Sequence, residues 1–411
     1  MLKILHFADA HIDMANYGHH DPVSGMPARI MDFLKSLDEI IDQAISQKVD
    51  LVLFAGDAYK DRNPTPTFQR EWGKRIMRLS RANIPTILVV GNHDSSPALG
   101  RANTLDPFQT LEVPYVWVID KPQFLTSSDL WGLPVQILAL PWIPRSSLIA
   151  NLGLSNVDLK DINEQIEERL IFLVRNWLDR ADPNLPSILT AHATVQGAKF
   201  GAERSIMLGN DFTLSGSLLR DPRLDYVGLG HIHLAQNLNE NYHPPIVYPG
   251  SIERVDFGEA RDKKYYVIAE IERGHAQVHW CELKQIRPFI DLTCRLDDPK
   301  NVESIIYETL PPPEKLENAI VRLVIEYPLN QEALINDNAI RQYASGAFEF
   351  QLIKRPLHAL RSRLPDNQAI NNLPPIELLE IFLRTNQSNE EEVKELTQLA
   401  EEIFKIPEED S

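Results

Sequence analysis

Five polar runs in this chain hold side chains able to bind metal ions or move protons. They are Asp9-Ala10-His11, Gly56-Asp57, Gly91-Asn92-His93-Asp94, Ala191-His192 and Gly230-His231-Ile232-His233, and each follows directly on a short apolar stretch. Carboxylate, amide and imidazole are hard-to-borderline donors that suit manganese, iron or zinc, and no cysteine joins them. Seven such groups, Asp9, His11, Asp57, Asn92, His192, His231 and His233, exceed what one ion needs. Two ions sharing a bridging carboxylate use them naturally. A pair roughly 3.5–4 Å apart clamps the attacking and leaving oxygens of an in-line displacement at a phosphoester. Alone, DxH or GD is more often a cap or a turn. GNHD after a strand is far more specific, and the five together are more specific still. His6 lies inside an apolar stretch and reads as packing. His19, His20, His243, His275, His279 and His358 have no motif around them and read as surface or loop residues.

The apolar stretches must be the elements that bring these residues together. Leu2–Ala8, Leu51–Ala55, Thr86–Val90, Val135–Leu140, Ser187–Ala191 and Tyr226–Leu229 are rich in Val, Ile and Leu and too short for helices, so they predict buried strands. Ile30–Ser46 carries apolar residues at helical spacing between the first two. This βαβ rhythm predicts an α/β domain, and ligands of α/β sheets bind at the carboxyl ends of strands. Gly56, Gly91 and Gly230 are expected to let the backbone turn there. Ile246–Tyr248, Tyr265–Ile271 and Ala276–Leu283 follow without helices and predict an antiparallel part of the same domain, which spans 1–285. Residues 286–355 predict a small α+β capping domain, with strands at Phe289–Cys294, Ala319–Glu326 and Phe348–Ile353 and helices at Asn301–Thr309 and Gln331–Tyr343. The proline-punctuated stretch 356–375 predicts a linker. A helical pair is expected over 376–407, at Ile376–Arg384 and Glu390–Phe404, with Ser388 and Glu391 as a capping box.

Length and charge set bounds. The 411 residues suit two or three domains, and 41 basic against 58 acidic residues give a net charge of −17. That balance argues at first sight against a partner made of phosphates. The charge is unevenly spread. From Ala58 to Arg101, eight bases against three acids give +5. Phe68, Trp72, Ile76 and Leu79 make an apolar stripe inside that segment. It can be a DNA-contacting face, a solvated helix packed on its own domain, or a dimer contact. From Pro374 to Ser411, three bases against eleven acids give −8, on helices whose apolar stripes suit a partner's groove or a fold back onto the chain. Cys281 and Cys294 form no CxxC pair and suit a reducing compartment, most simply the cytosol. No apolar run approaches the length of a membrane span.

The order DxH, GD, GNHD, H, GHxH resembles the calcineurin-like metallophosphoesterase superfamily. Within it, the opening ILHFADAH, the run Leu140-Pro141-Trp142 and the segment Tyr248–Glu259 resemble the SbcD-type nuclease subunits of SbcCD complexes. The resemblance implies a layered β-sandwich domain flanked by helices. It implies that Asp9 and His11 hold a first metal with His233, that Asp57 bridges, and that Asn92, His192 and His231 complete the second. His93 would face the scissile phosphate as an acid, with Asp94 orienting it through a hydrogen bond. It further implies two Mn2+ ions, exonuclease action on duplex ends and endonuclease action on single strands and hairpins. Homodimerisation, a cytoplasmic place in double-strand-break repair, recombination and replication, and an SbcC-like coiled-coil ATPase gripping 376–407 complete the expectation. Lys60, Arg62, Arg70 and Lys74 are the expected DNA contacts. A small-molecule phosphodiesterase of the same superfamily and a non-catalytic DNA-end tether are the rival readings.

Overall fold

A computed structural model describes residues 1–95, 101–142, 159–201, 213–357, 376–377, 379–380, 383 and 390–404. By contacts the chain falls into two units. One comprises Met1–Asp291, Pro312–Arg322 and Arg341–Gln351, and the other Leu292–Pro311, Leu323–Ile340 and Leu352–Ser411. Among the described residues no helix is long and apolar enough to cross a membrane.

The first unit begins β1 (Leu2–Phe7), α1 (Ala28–Ser46), β2 (Leu51–Phe54), α2 (Pro66–Arg81), β3 (Thr86–Val89), α3 (Asp106–Thr110) and β4 (Val116–Ile119). It continues through β5 (Gln123–Leu125), β6 (Gln136–Leu140), α4 (Leu159–Arg180), β7 (Ser187–His192), β8 (Thr194–Val195) and β9 (Thr213–Leu214). Then come α5 (Gly216–Leu219), β10 (Tyr226–Gly230), β11 (Gln236–Asn237), β12 (Ile246–Tyr248), β13 (Tyr265–Glu272) and β14 (His275–Glu282). Two six-stranded sheets result, in the orders β14-β13-β1-β2-β3-β4 and β11-β12-β10-β7-β6-β5. β1 through β4 run parallel, as do β6, β7, β10 and β12. β13 joins β1 antiparallel, and β14 joins β13 antiparallel.

Side-chain alternation along these strands makes the layers. Successive residues of a strand face opposite sides, so Leu2 and Ile4 of β1 enter the apolar layer between the sheets while Leu5 and Phe7 enter the layer beneath α1 and α2. Likewise Leu51 and Leu53 of β2 meet Ile137, Ile188 and Tyr226 of the second sheet, whereas Val52 and Phe54 meet the helices. The second sheet's outer face, with Leu189, Val227 and Leu229, is covered by Ile166, Leu170, Val174, Trp177 and Leu178 of α4. Strands buried on both faces explain the continuous apolar runs of the sequence. The expected β-sandwich flanked by helices is borne out.

Several expectations need correction. β4, β5 and α4 are not among the elements expected from the apolar runs, although α4 carries its stripe at helical spacing. The stripe on α2 is not a free dimer surface: Trp72, Ile76 and Leu79 are fully buried in this chain's own core. The charge beside it is also not free. Arg75 and Arg78 pair with Asp38 of α1, and Arg78 also with Asp42, so the +5 counted along the segment is offset by acids from another helix.

Strands β15 (Phe289–Arg295), β16 (Ile320–Pro328) and β17 (Glu349–Leu357) are hydrogen-bonded in that order. Between the first two along the chain lie α6 (Val302–Thr309) and α7 (Pro313–Leu316), which starts on its proline as the missing N–H allows. The single helix expected over Gln331–Tyr343 is instead a 3-10 turn, Leu329–Leu334, followed by α8 (Asp337–Tyr343). The break falls where the Asn336 side chain accepts the Ala339 N–H and caps the second helix. α9 (Glu390–Phe404) forms where the acidic tail predicts it. Of the linker expected over 356–375, Pro356 and Leu357 instead end β17, and its remainder, like the Ser388 cap, lies outside the described residues; of the helix expected at Ile376–Arg384, residues 376–377, 379–380 and 383 are helical and the others lie outside the described residues.

Candidate metal centre

The parallel strands deliver all five polar runs to their carboxyl ends. β1 leads into Asp9 and His11, β2 into Asp57, and β3 into Asn92, His93 and Asp94. His192 ends β7, and His231 and His233 follow β10. Two tight groups form. Asp9, His11 and His233 offer ligand atoms within 4.8 Å of one another, and so do Asp57, His192 and His231. Asn92 stands against the second group, its Oδ1 lying 2.9 Å from His192 Nε2 and 3.0 Å from His231 Nδ1.

Backbone conformation aims these side chains. Asp9, His11, Asp57 and His231 all have positive φ, at 50°, 40°, 63° and 98°. Such values are strained for residues with a Cβ and cluster at functional sites. Gly56, at φ 101°, plays the expected turning role. Gly91 acts differently, by having no side chain: a Cβ there would fall on the Asp57 carboxylate. Gly91→Ala is therefore expected to displace Asp57, weaken divalent-ion binding at least about tenfold and cost roughly 1–3 kcal/mol of stability. Calorimetric titration of the metal-stripped chain with Mn2+ checks it.

Hydrogen bonding shows whether a cation fits. His11 Nδ1 lies 3.2 Å from the Tyr59 carbonyl, which can only accept, so Nδ1 carries the proton and Nε2 keeps a lone pair. That lone pair faces His233 Nε2 at 3.1 Å, so a proton or a cation must fill the gap. His192 repeats the pattern, with Nδ1 on the Ala55 carbonyl at 2.7 Å and Nε2 against Asn92 Oδ1 and Asp57 Oδ2. Burial alone would push His192 down, yet Asp57 reverses this and lifts it to about 9, so a proton stands among acceptors. Burial raises Asp9 to about 6, against the pull of His192 and His233. Burial would raise Asp57 too, but His192, His93 and His11 outweigh it and hold that carboxyl far below its usual range. Positive charge held among buried acceptors is what a divalent ion supplies, and metal binding releases such protons. The donors present fit two such ions.

His93 is placed apart. Its ring Nδ1 lies 2.8 Å from the Lys60 carbonyl and therefore carries the proton there, while its backbone N–H donates to Asp57 Oδ1 at 2.8 Å. It lines an open cleft of about 520 Å³ with Asp13, Lys60, Asp61, Arg62 and Asn63. Asp94 does not orient it, contrary to expectation. The Asp94 carboxylate, fully buried, accepts the N–H groups of Asp57 (2.8 Å), Ala58 (3.1 Å) and Gly91 (3.0 Å) and the Thr104 hydroxyl (3.0 Å). It ties two ligand-bearing loops together. Of the four basic residues expected to touch DNA, Lys60 and Arg62 line the cleft. Arg70 and Lys74 do not, and both pair with Glu71 on α2. Two further groups, both in runs that carry the family resemblance, were given no role at the site by the sequence. Trp142 packs on His231, with ring centroids 5.1 Å apart, and Glu259 bonds His233.

Comparison with known proteins agrees with this geometry. The "Calcineurin-like phosphoesterase" family matches residues 2–235, a stretch that holds every residue of both groups. The SbcD subunit of nuclease SbcCD from Escherichia coli (strain K12) is 27% identical over 281 residues, covering 66% of each chain. The "DNA double-strand break repair protein Mre11" of Archaeoglobus fulgidus is 25% identical over 309 residues, covering 72% of this chain and 60% of that one. The SbcD subunit of nuclease SbcCD from Rhodobacter capsulatus is 28% identical over 254 residues, covering 58% and 59%. The chain thus spans just under two thirds of the length of these relatives. The resemblance to SbcD-type nuclease subunits is borne out. A family match running over more than half of the chain, through strand ends that bring metal donors together, means that this protein belongs to the calcineurin-like phosphoesterases.

Proposed function

We propose that the chain is a metal-dependent DNA nuclease and serves as the nuclease subunit of an SbcCD-like double-strand-break repair complex. The observation that carries this is the pair of three-residue groups, joined by Asn92 and opening beside His93, Lys60 and Arg62. Asp9, His11 and His233 would hold one ion, Asn92, His192 and His231 the other, with Asp57 shared. When bound, two divalent ions activate the attacking water and neutralise charge on the phosphodiester. Mn2+ is the proposed metal.

The protein's own residues do the rest. Lys60 and Arg62 bind phosphates that flank the scissile one, without regard to sequence. His93, whose Nδ1–H is held by the Lys60 carbonyl, turns Nε2 to the scissile group; once Nε2 has taken up a proton from solvent, the imidazolium gives that proton to the leaving oxygen.

Residues 286–355 are proposed to cap this nuclease domain of 1–285. Residues 376–407, after the linker, are proposed to dock on an SbcC-like ATPase. Val393 of α9 is buried, whereas Leu396 and Leu399 are 47% and 57% exposed, which leaves apolar surface for a partner helix. The homodimer is proposed to form through surfaces other than the α2 stripe. Action on duplex ends, single strands and hairpins, and a cytoplasmic place in repair, recombination and replication, complete the proposal.

The test is direct. The purified chain with Mn2+, alone and with its ATPase partner, should cleave a labelled duplex end and a hairpin, and a chelator should stop it. Hydrolysis of a nitrophenyl diester with no cleavage of DNA under any of these conditions would overturn the DNA assignment in favour of a small-molecule phosphodiesterase.

A further inference from the structure

Glu259 ends a short 3-10 turn, Phe257–Glu259, well beyond the last of the metal-donor motifs. It is 1% exposed, as is Lys264, and burying such a pair is costly. Its two oxygens have separate tasks. Oε2 receives Lys264 Nζ at 2.7 Å, the Val255 N–H at 2.9 Å and the Ser251 hydroxyl at 3.3 Å. Oε1 lies 2.7 Å from His233 Nδ1. Lys264 Nζ also donates to the Ser251 hydroxyl at 2.8 Å, so the anchor is itself braced. The same segment reaches both loops of the first group through its backbone: Ser251 N–H donates to the His233 carbonyl and Ile252 N–H to the Asp9 carbonyl.

A carboxylate on the far nitrogen of a metal-binding imidazole fixes the tautomer and the ring plane, and makes the near nitrogen a better donor. We infer that Glu259, clamped by Lys264, Ser251 and Val255, is a positioning residue that sets His233 with Nε2 toward Asp9 and His11, and so controls the affinity of the first metal group. The inference rests on the reading that Asp9, His11 and His233 hold a divalent ion. It adds a segment outside the matched family region, 2–235, to the machinery of the site. It also gives the buried Lys264–Glu259 pair a function. As a contribution to stability alone, apolar residues of similar volume would serve as well or better.

Three full-length variants test it: E259Q, K264M and the double variant E259L/K264M. The double variant removes both buried charges together, so neither is left unpaired, but the Val255 N–H and His233 Nδ1–H lose their acceptor and a modestly lowered unfolding temperature is expected. Metal-stripped protein is titrated with Mn2+ by calorimetry, without DNA, and its thermal unfolding is recorded. The wild type is expected to bind two ions. In E259L/K264M one binding step weakens about 10–100-fold and the other holds its wild-type affinity. E259Q, which keeps an acceptor oxygen opposite His233 Nδ1, falls between the double variant and the wild type, and K264M weakens the same step as the others. Two wild-type affinities in both E259Q and the double variant would overturn the inference. Equal weakening of both steps together with a lowered unfolding temperature would overturn it too, as the mark of a purely structural role. A wild type that binds no divalent ion would overturn the underlying metal reading and this inference with it.

Discussion

His93→Leu is expected to lower DNA hydrolysis by about 10²–10⁴-fold, the usual share of a positioned general acid. It should leave Mn2+ affinity and DNA binding near their wild-type values. The separation follows from the geometry. Of what His93 gives to the metal groups, leucine keeps the backbone N–H to Asp57 Oδ1 and an apolar side chain against the His11 ring. What leucine removes is the imidazole, whose Nδ1 is held by the Lys60 carbonyl at the edge of the open cleft. Single-turnover cleavage beside calorimetric Mn2+ titration reads both quantities. A variant that cleaves like the wild type would remove His93 from the reaction. Loss of cleavage with loss of metal would make His93 part of the metal scaffold instead. The same variant separates a nuclease from a mere DNA-end tether, because a tether would keep its cellular repair role.

Asp94→Ala is expected to act on the fold before it acts on the chemistry. Its carboxylate satisfies three buried backbone N–H groups from two loops and one hydroxyl. Each buried donor left without a partner costs about 1–3 kcal/mol, and the losses overlap because the loops relax together. A fall of roughly 4 kcal/mol in unfolding free energy is expected, with weaker metal binding because Asp57 and Asn92 ride on the freed loops. Urea unfolding of the metal-free protein measures it. If Asp94→Ala unfolds like the wild type and alters only the pH profile of cleavage, Asp94 belongs to the reaction after all.

The contrast between these two neighbours shows where adjacency along the chain misleads. His93 and Asp94 are adjacent, and adjacency suggests a dyad. In the structure the His93 ring meets the Lys60 carbonyl, while Asp94 turns back to the amides of Asp57, Ala58 and Gly91. Side chains of successive residues diverge, and a buried carboxylate takes the nearest unpaired donors. Two of those donors, Asp57 and Ala58, come from a loop 37 and 36 residues away, which no local pattern displays. The α2 segment teaches the same lesson for charge. Its bases balance on paper only against acids of their own segment, yet Asp38 and Asp42 reach them from α1. Glu259 closes a run that carries the family resemblance, yet nothing along the chain gives it a role until His233 is seen beside it.

The order of residues displays the buried strands and the donor set, and the family resemblance adds the sandwich. Strands buried on both faces must be apolar throughout, and residues at their carboxyl ends must converge when the strands lie parallel. Both features are local, so they can be read from the order of residues. Packing decided that Asp94 clamps rather than orients and that the α2 stripe is core. It alone revealed that a braced carboxylate stands behind His233. Those outcomes depend on which distant groups come within about 3 Å of one another, where hydrogen bonds form, and that is set by packing rather than by spacing along the chain.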